Sequence, residues 1–110
     1  MPGSGYTYLC TFDVLQEGVP RRFEVEGVPV SLVLTEQQVF AIYDVCSHSA
    51  VSLSEGEVDG CTVECWLHAS RFDLRTGAPL DPPASRPVPV YPVRVQDGRV
   101  YARVGPRSER

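Results

Sequence analysis

Hydrophobic and polar residues alternate with a period of two over most of this chain, which is the pattern of strands with one buried face. Short runs of apolar, aromatic and β-branched residues are separated by turn residues such as Gly27. The pattern predicts strands at 6–12, 19–26, 30–35, 39–44, 93–96 and 99–104. No amphipathic helix of useful length fits the sequence, so we expect an all-β fold.

The connections between these runs indicate how the strands pair. The first four runs follow one another through short turns and are typical of an antiparallel meander. The last two flank Asp97-Gly98, a strong hairpin signal because glycine tolerates the positive φ of a type I′ turn. Both ends of the chain are therefore predicted to be β-sheet.

Residues 45–89 lose the alternation and are interpreted as an insertion carried by this β scaffold. The insertion ends in segment 78–89, which has five prolines in twelve residues. Proline lacks a backbone donor and fixes φ, so the segment cannot lie inside a sheet but can form a stiff loop. We call residues 78–89 the Pro loop and expect it to cover a site.

The length and charge of the chain exclude several classes of function. The chain has 110 residues, which predicts one domain, 1–110, with one small site. All ten basic residues are arginine, the net charge is −4, and Arg21-Arg22 is the only adjacent basic pair outside the C-terminal end. We therefore expect no nucleic-acid partner. There is no long apolar stretch and no signal or anchor motif, so we expect no membrane partner and a cytoplasmic location.

The insertion contains both histidines of the chain and three of its four cysteines. Cys46 and His48 are separated from Cys65 and His68 by sixteen residues. Two turns that each carry a thiolate and an imidazole can present two sulfur and two nitrogen ligands to one site, and such spacing is typical of metal binding. The spacing permits a structural zinc site of the Cys2His2 type as well as an iron–sulfur centre.

The pattern Cys-x-His, sixteen residues, Cys-x-x-His resembles the motif of Rieske [2Fe–2S] proteins. The resemblance extends to segments 52–56, 72–77 and 87–93 and so covers nearly the whole chain. It is nearest to the small ferredoxins of bacterial ring-hydroxylating dioxygenase systems. Related small Rieske proteins of iron–sulfur assembly or other metabolic systems are the alternative.

The resemblance implies stacked antiparallel sheets with a cluster-binding loop subdomain, about 45–89, at one tip. It implies that one [2Fe–2S] cluster is held by Cys46 and Cys65 on the inner iron and by His48 and His68 on the outer iron. The chain would then be a monomeric electron carrier between a flavin-dependent ferredoxin reductase and a terminal oxygenase, bound transiently, and not itself an enzyme. The Pro loop, with Pro82 and Pro83, would cover the cluster.

The same comparison gives an expectation for the reduction potential. Neutral imidazoles leave the oxidised cluster less negative than four thiolates do, and Rieske potentials span roughly −150 to +300 mV. High-potential members carry a disulfide and a tyrosine at positions that match Val51, Leu67 and Phe72 here. Only Ser70 matches a hydrogen-bond donor to a bridging sulfide. We therefore expect a potential toward the low end of the range.

The remaining candidates concern contacts around the site. Trp66 lies between two ligand positions and is expected to shield the cluster or to contact a partner. Cys10 and Cys61 are expected to be free thiols, which fits a reducing compartment. Acidic residues near the ligands could steer a basic partner: they are Asp44, Glu55, Glu57, Asp59 and Glu64.

Overall fold

The computed structural model describes residues 5–47, 51–67 and 69–104. Within those ranges the chain forms ten strands and two short 3-10 turns and has no α-helix, which confirms the all-β prediction. The strands are β1 (Tyr6–Thr11), β2 (Arg21–Val25), β3 (Val28–Thr35), β4 (Gln38–Tyr43), β5 (Glu57–Asp59), β6 (Thr62–Glu64), β7 (Arg71–Asp73), β8 (Val90–Tyr91), β9 (Val93–Gln96) and β10 (Arg99–Arg103). The 3-10 turns are Phe12–Val14 and Leu53–Glu55.

These strands form three antiparallel sheets. Their orders are β1-β10-β9, β2-β3-β4-β8 and β5-β6-β7. The meander is confirmed for β2 to β4, but placing β1 in it was wrong, because β1 pairs with β10 and sets Tyr6 opposite Arg103. That pairing buries Cys10 beside Val100, so the two ends of the chain complete one sheet.

Two-residue turns set the register of the hairpins. Asp97 (φ 55°) and Gly98 (φ 75°) join β9 to β10 with both residues left-handed, as the Asp-Gly pair predicts. Glu36 (φ 52°) and Gln37 (φ 66°) do the same between β3 and β4 without a glycine. Turn 26–27 between β2 and β3 has the same two positive φ values. These turns match the right-handed twist of the flanking strands.

The insertion is more regular than the sequence suggested. The alternation pattern marks no strand within 45–89, yet β5, β6 and β7 lie inside it and form a sheet of their own. Each of these strands has three residues, which is too short to show a period. Val63 and Phe72 are directly opposite each other and fully buried.

Two apolar cores hold the sheets together. One lies among the sheets of β1 to β4, β9 and β10 and includes Val30, Leu32 and Val100. The other lies under the insertion and is joined to β3 and β4 through Val33 and Ile42. The scaffold strands thus form part of the floor of the insertion. In the ranges that the structure describes, no helix is long and apolar enough to cross a membrane.

Gly77 fixes the entry of the Pro loop, and its substitution tests that constraint. Gly77 has φ 79°, and an added Cβ would overlap the carbonyl oxygen of Val88, whose own N–H donates to the Gly77 carbonyl (2.9 Å). We expect Gly77→Ala to lower the free energy of unfolding by about 2–4 kcal/mol in urea titrations. Gly98→Ala is the matched control, because its φ is also positive but no atom lies within 4 Å of the added Cβ. A loss for Gly77→Ala no larger than that of Gly98→Ala would contradict this role.

Candidate metal centre

Two loops of the same construction carry the predicted cysteine ligands. In the first, the Cys46 N–H donates to the Val51 carbonyl at 3.0 Å, and in the second the Cys65 N–H donates to the Ser70 carbonyl at 2.7 Å. Both bonds join a cysteine to the residue five positions later, so each loop is pinned at its base. A further bond, from the Ala69 N–H to the Cys65 carbonyl (2.8 Å), tightens the second loop.

The structure brings the two cysteines together in one core. Cys46 is 4% exposed and Cys65 is fully buried. Both belong to the apolar cluster under the insertion, with Leu53, Phe72 and Leu74 among its members. The predicted partners His48 and His68 lie outside the described residues.

The Pro loop contacts both cysteine loops. The Ser47 hydroxyl donates to the Arg86 carbonyl at 2.6 Å, which ties the loop to the residue after Cys46. The Ala84 N–H donates to the Ser70 Oγ at 3.2 Å, which ties it to the second cysteine loop. Pro82 and Pro83, whose peptide bond is cis, are exposed on the loop between these anchors. The loop therefore spans the two cysteine-bearing segments.

Ser70 and Phe72 take different places around the cysteines. Ser70 is fully buried, and the bond from Ala84 occupies one acceptor position of its hydroxyl. A serine hydroxyl also has one proton to donate, so Ser70 can still donate toward a bound group. Phe72 is buried in the core and pairs with Pro79, where it offers no polar atom and no exposed surface.

Asp44 is the polar anchor of the first cysteine loop. Its interpretation as a steering charge was wrong, because its side chain is fully buried. Its carboxylate accepts from the Ser54 N–H (2.6 Å), the Ser54 hydroxyl (2.7 Å) and Arg22 Nη1 (3.0 Å). A buried charge persists where it is paired and hydrogen-bonded. Asp44 and Arg22 thus join β2 and the end of β4 to the segment that follows Cys46.

Apolar side chains are exposed directly after the second cysteine in the sequence and on the Pro loop. Trp66 is 51% exposed, and Leu67 and Leu80 are also exposed. Large apolar groups exposed together are typical of a contact surface for another protein. We call these three residues the apolar rim.

The other two cysteines are free thiols away from this arrangement. Cys10 is packed in the scaffold core, and burial raises the pKa of its thiol. Burial also raises the pKa of the Cys61 thiol, an effect that the nearby Arg75 opposes. Both are free, as expected, and a raised pKa leaves less of the nucleophilic thiolate.

Several contacts at this site were not predictable from the motif. They involve Arg22, Ser47, Arg71 and Asp81, which hold the cysteine loops and the Pro loop in place. The only indication in the sequence that such residues belong to the site is their position. Asp44 and Ser47 lie close to Cys46, and Arg71 follows the second motif. Nothing in the spacing indicates their partners.

The described donors fit an iron–sulfur group. Two sulfur donors, Cys46 and Cys65, lie in one apolar core, and the Ser70 hydroxyl can donate to a sulfide. Thiolates are the ligands that iron–sulfur clusters require, and burial and hydrogen bonds to the sulfurs tune the reduction potential of such clusters. Because both cysteines are buried, a group bound to them would be enclosed by the protein on the side of its sulfur ligands.

The sequence of this chain is similar to those of known iron–sulfur proteins. The family model described as the Rieske [2Fe-2S] domain matches residues 5–92. The anthranilate 1,2-dioxygenase ferredoxin subunit of Burkholderia cepacia is 49% identical over 98 residues, which cover 88% of this chain and 90% of that protein.

Solved structures show the same fold. The ferredoxin of carbazole 1,9a-dioxygenase from Nocardioides aromaticivorans has a TM-score of 0.86 at 38% identity, covering 90% of this chain and 97% of that one. A chain in a complex of reduced oxygenase and oxidised ferredoxin of carbazole 1,9a-dioxygenase also has a TM-score of 0.86, at 33% identity, covering 92% of this chain and 94% of that one. These matches confirm the predicted Rieske fold, and the chain belongs to the Rieske [2Fe-2S] domain family.

Proposed function

We propose that this protein is a one-electron carrier that accepts an electron from a flavin-dependent ferredoxin reductase and passes it to a terminal ring-hydroxylating oxygenase. The observation that carries the proposal is the pair of matched loops that bury Cys46 and Cys65 in one core beneath the Pro loop. The similar ferredoxin subunits of dioxygenase systems support the same role. In such a system the oxygenase performs the chemistry and this chain is not itself an enzyme.

One [2Fe–2S] cluster would be held by Cys46, Cys65, His48 and His68. When bound, the cluster supplies a centre that accepts and returns one electron. Cys46 and Cys65 would neutralise part of the iron charge from the buried side, and the core around them excludes water. The Ser70 hydroxyl would donate a hydrogen bond to a sulfide. Residues 1–110 would form a single domain, with the cluster-binding insertion at about 45–89.

The apolar rim gives the protein a surface for transient contact with its partners. Trp66 and Leu67 lie between Cys65 and His68 in the sequence, so a partner that covers them comes close to the cluster ligands. Glu55, Glu57 and Asp59 are exposed on the insertion and could steer a basic partner surface. Electron-transfer contacts of this kind are small and short-lived.

We also propose that the protein works as a monomer in the cytoplasm. Free thiols at Cys10, which is buried, and at Cys61, which is only partly buried, support a reducing compartment, where disulfides are rare.

Substitution of the histidines tests the ligand set. His48→Cys or His68→Cys replaces a neutral ligand with an anion, which disfavours the added electron. We expect either variant that assembles a cluster to have a midpoint potential lower by on the order of 100 mV or more, with an altered EPR signal. Cys61→Ser is the control and should leave the potential unchanged. A histidine variant with the wild-type potential would contradict the assignment.

Substitution of Trp66 tests the docking surface. In an assay with NADH, reductase and oxygenase, we expect Trp66→Ala to raise the KM for this protein about tenfold, because a tryptophan anchor commonly contributes 1–2 kcal/mol or more to binding. The midpoint potential should not change. Tyr8→Ala is the matched control, because Tyr8 is equally exposed (51%) but lies on the β1-β10-β9 sheet. Equal effects of the two variants would argue against docking at the apolar rim.

A further inference from the structure

A surface ion pair fastens the Pro loop to Arg71, the first residue of β7, directly after the second cysteine loop. Arg71 donates to Asp81 through Nε (2.6 Å, to Oδ2), Nη2 (3.1 Å, to Oδ1) and its backbone N–H (3.3 Å, to Oδ2). The Leu80 N–H returns a bond to the Arg71 carbonyl at 2.7 Å. A guanidinium that meets both carboxylate oxygens fixes orientation as well as distance. The Arg71 guanidinium also holds the pKa of Asp81 below its usual range.

The Arg71–Asp81 ion pair contributes little to the free energy of folding, so stability alone does not account for its two-pronged geometry. The side chains of Arg71 and Asp81 are 47% and 31% exposed, and ion pairs at such positions contribute little to stability. The four contacts instead hold Leu80 and Asp81 of the Pro loop beside Arg71, at the start of β7. The main effect of the ion pair is therefore on the position of the Pro loop.

The restriction is transmitted along the Pro loop to Ala84. Only Pro82 and Pro83 separate Asp81 from Ala84, and a proline ring fixes φ at each of these positions. Fewer rotatable bonds mean that the position of Asp81 strongly limits the position of the Ala84 N–H. Ala84 itself is buried.

The Ala84 N–H in turn orients the Ser70 hydroxyl. It donates to the Ser70 Oγ at 3.2 Å, inside the core of the insertion. Because this bond occupies one acceptor position of the oxygen, the hydroxyl proton must point away from Ala84. A donor held in one direction stabilises developing negative charge better than a rotating one.

We propose that Arg71 and Asp81 are positioning residues that set the reduction potential of the cluster by holding the Ser70 hydroxyl in its donating orientation. This inference rests on the proposed function, since it requires a bound cluster. The chain of contacts runs from Arg71 to Asp81, through the two prolines to Ala84, and from Ala84 to Ser70. A surface ion pair would thereby tune a buried redox centre.

A double-mutant cycle on the cluster-loaded protein tests the proposal. The variants are Arg71→Gln with Asp81→Asn, Ser70→Ala, and all three substitutions together. The paired change leaves the net charge unaltered, so a general electrostatic effect is minimised. We expect it to lower the midpoint potential by about 20–30 mV, a two- to threefold change in the electron-transfer equilibrium constant at 59 mV per tenfold. In the Ser70→Ala background it should have no further effect.

A second exposed ion pair provides the control. Arg75 and Glu36 are 3.4 Å apart and are similarly exposed, but no side-chain hydrogen bond or ion pair in the described residues joins either of them to the Pro loop. Glu36→Gln with Arg75→Gln should leave the potential unchanged. Arg71→Lys keeps the charge but loses the two-pronged contact, and we expect it to lower the potential less than the paired change does. It also provides a milder variant where the paired change impairs folding.

The outcomes separate this inference from the proposed function. A shift from the paired change that is the same with and without Ser70, or no shift at all, would overturn the positioning role. A Ser70→Ala variant with the wild-type potential would contradict both that role and the donation by Ser70. A protein that binds no cluster would contradict the proposed function as a whole.

Discussion

Two cysteine side chains have to be held in one core by a chain that has no α-helix in its described residues, and this constraint shapes the rest of the site. Loops alone are mobile because their backbone groups are bonded largely to water. Here the Cys46 and Cys65 loops are closed by matching backbone bonds, and both cysteines pack into the core under the insertion. Burial in one apolar core therefore replaces the rigidity that longer elements would provide.

Polar contacts also hold the two cysteine loops in place. The buried Asp44 carboxylate fastens the first cysteine loop to β2 through Arg22, while the Pro loop bridges both cysteine loops. The cysteine loops are thus fastened on the side that faces the core, whereas Trp66 is exposed on the surface. That division suits a centre that must be stable and still reach other proteins.

Local signals in the sequence predicted more of the scaffold than of the insertion. Strands β2 to β4, β9 and β10 were predicted to within about two residues, because alternation and two-residue turns are encoded by neighbouring positions. The partner of β1 was not, since its pairing with β10 joins residues at opposite ends of the chain. The motif pairs Cys46 with Cys65, which the structure places in one core, and the ligand roles of both cysteines and of His48 and His68 remain predictions. The Arg71–Asp81 pair has no periodic signature, so only the folded loop reveals it.

The central claim, that the loops enclose a [2Fe–2S] cluster, is tested most directly by the metal content and EPR spectrum of freshly purified protein. The account predicts two iron and two acid-labile sulfide per chain and a red-brown colour that bleaches with dithionite. The reduced protein should give a rhombic EPR signal. Colourless protein with stoichiometric zinc and no sulfide would contradict it.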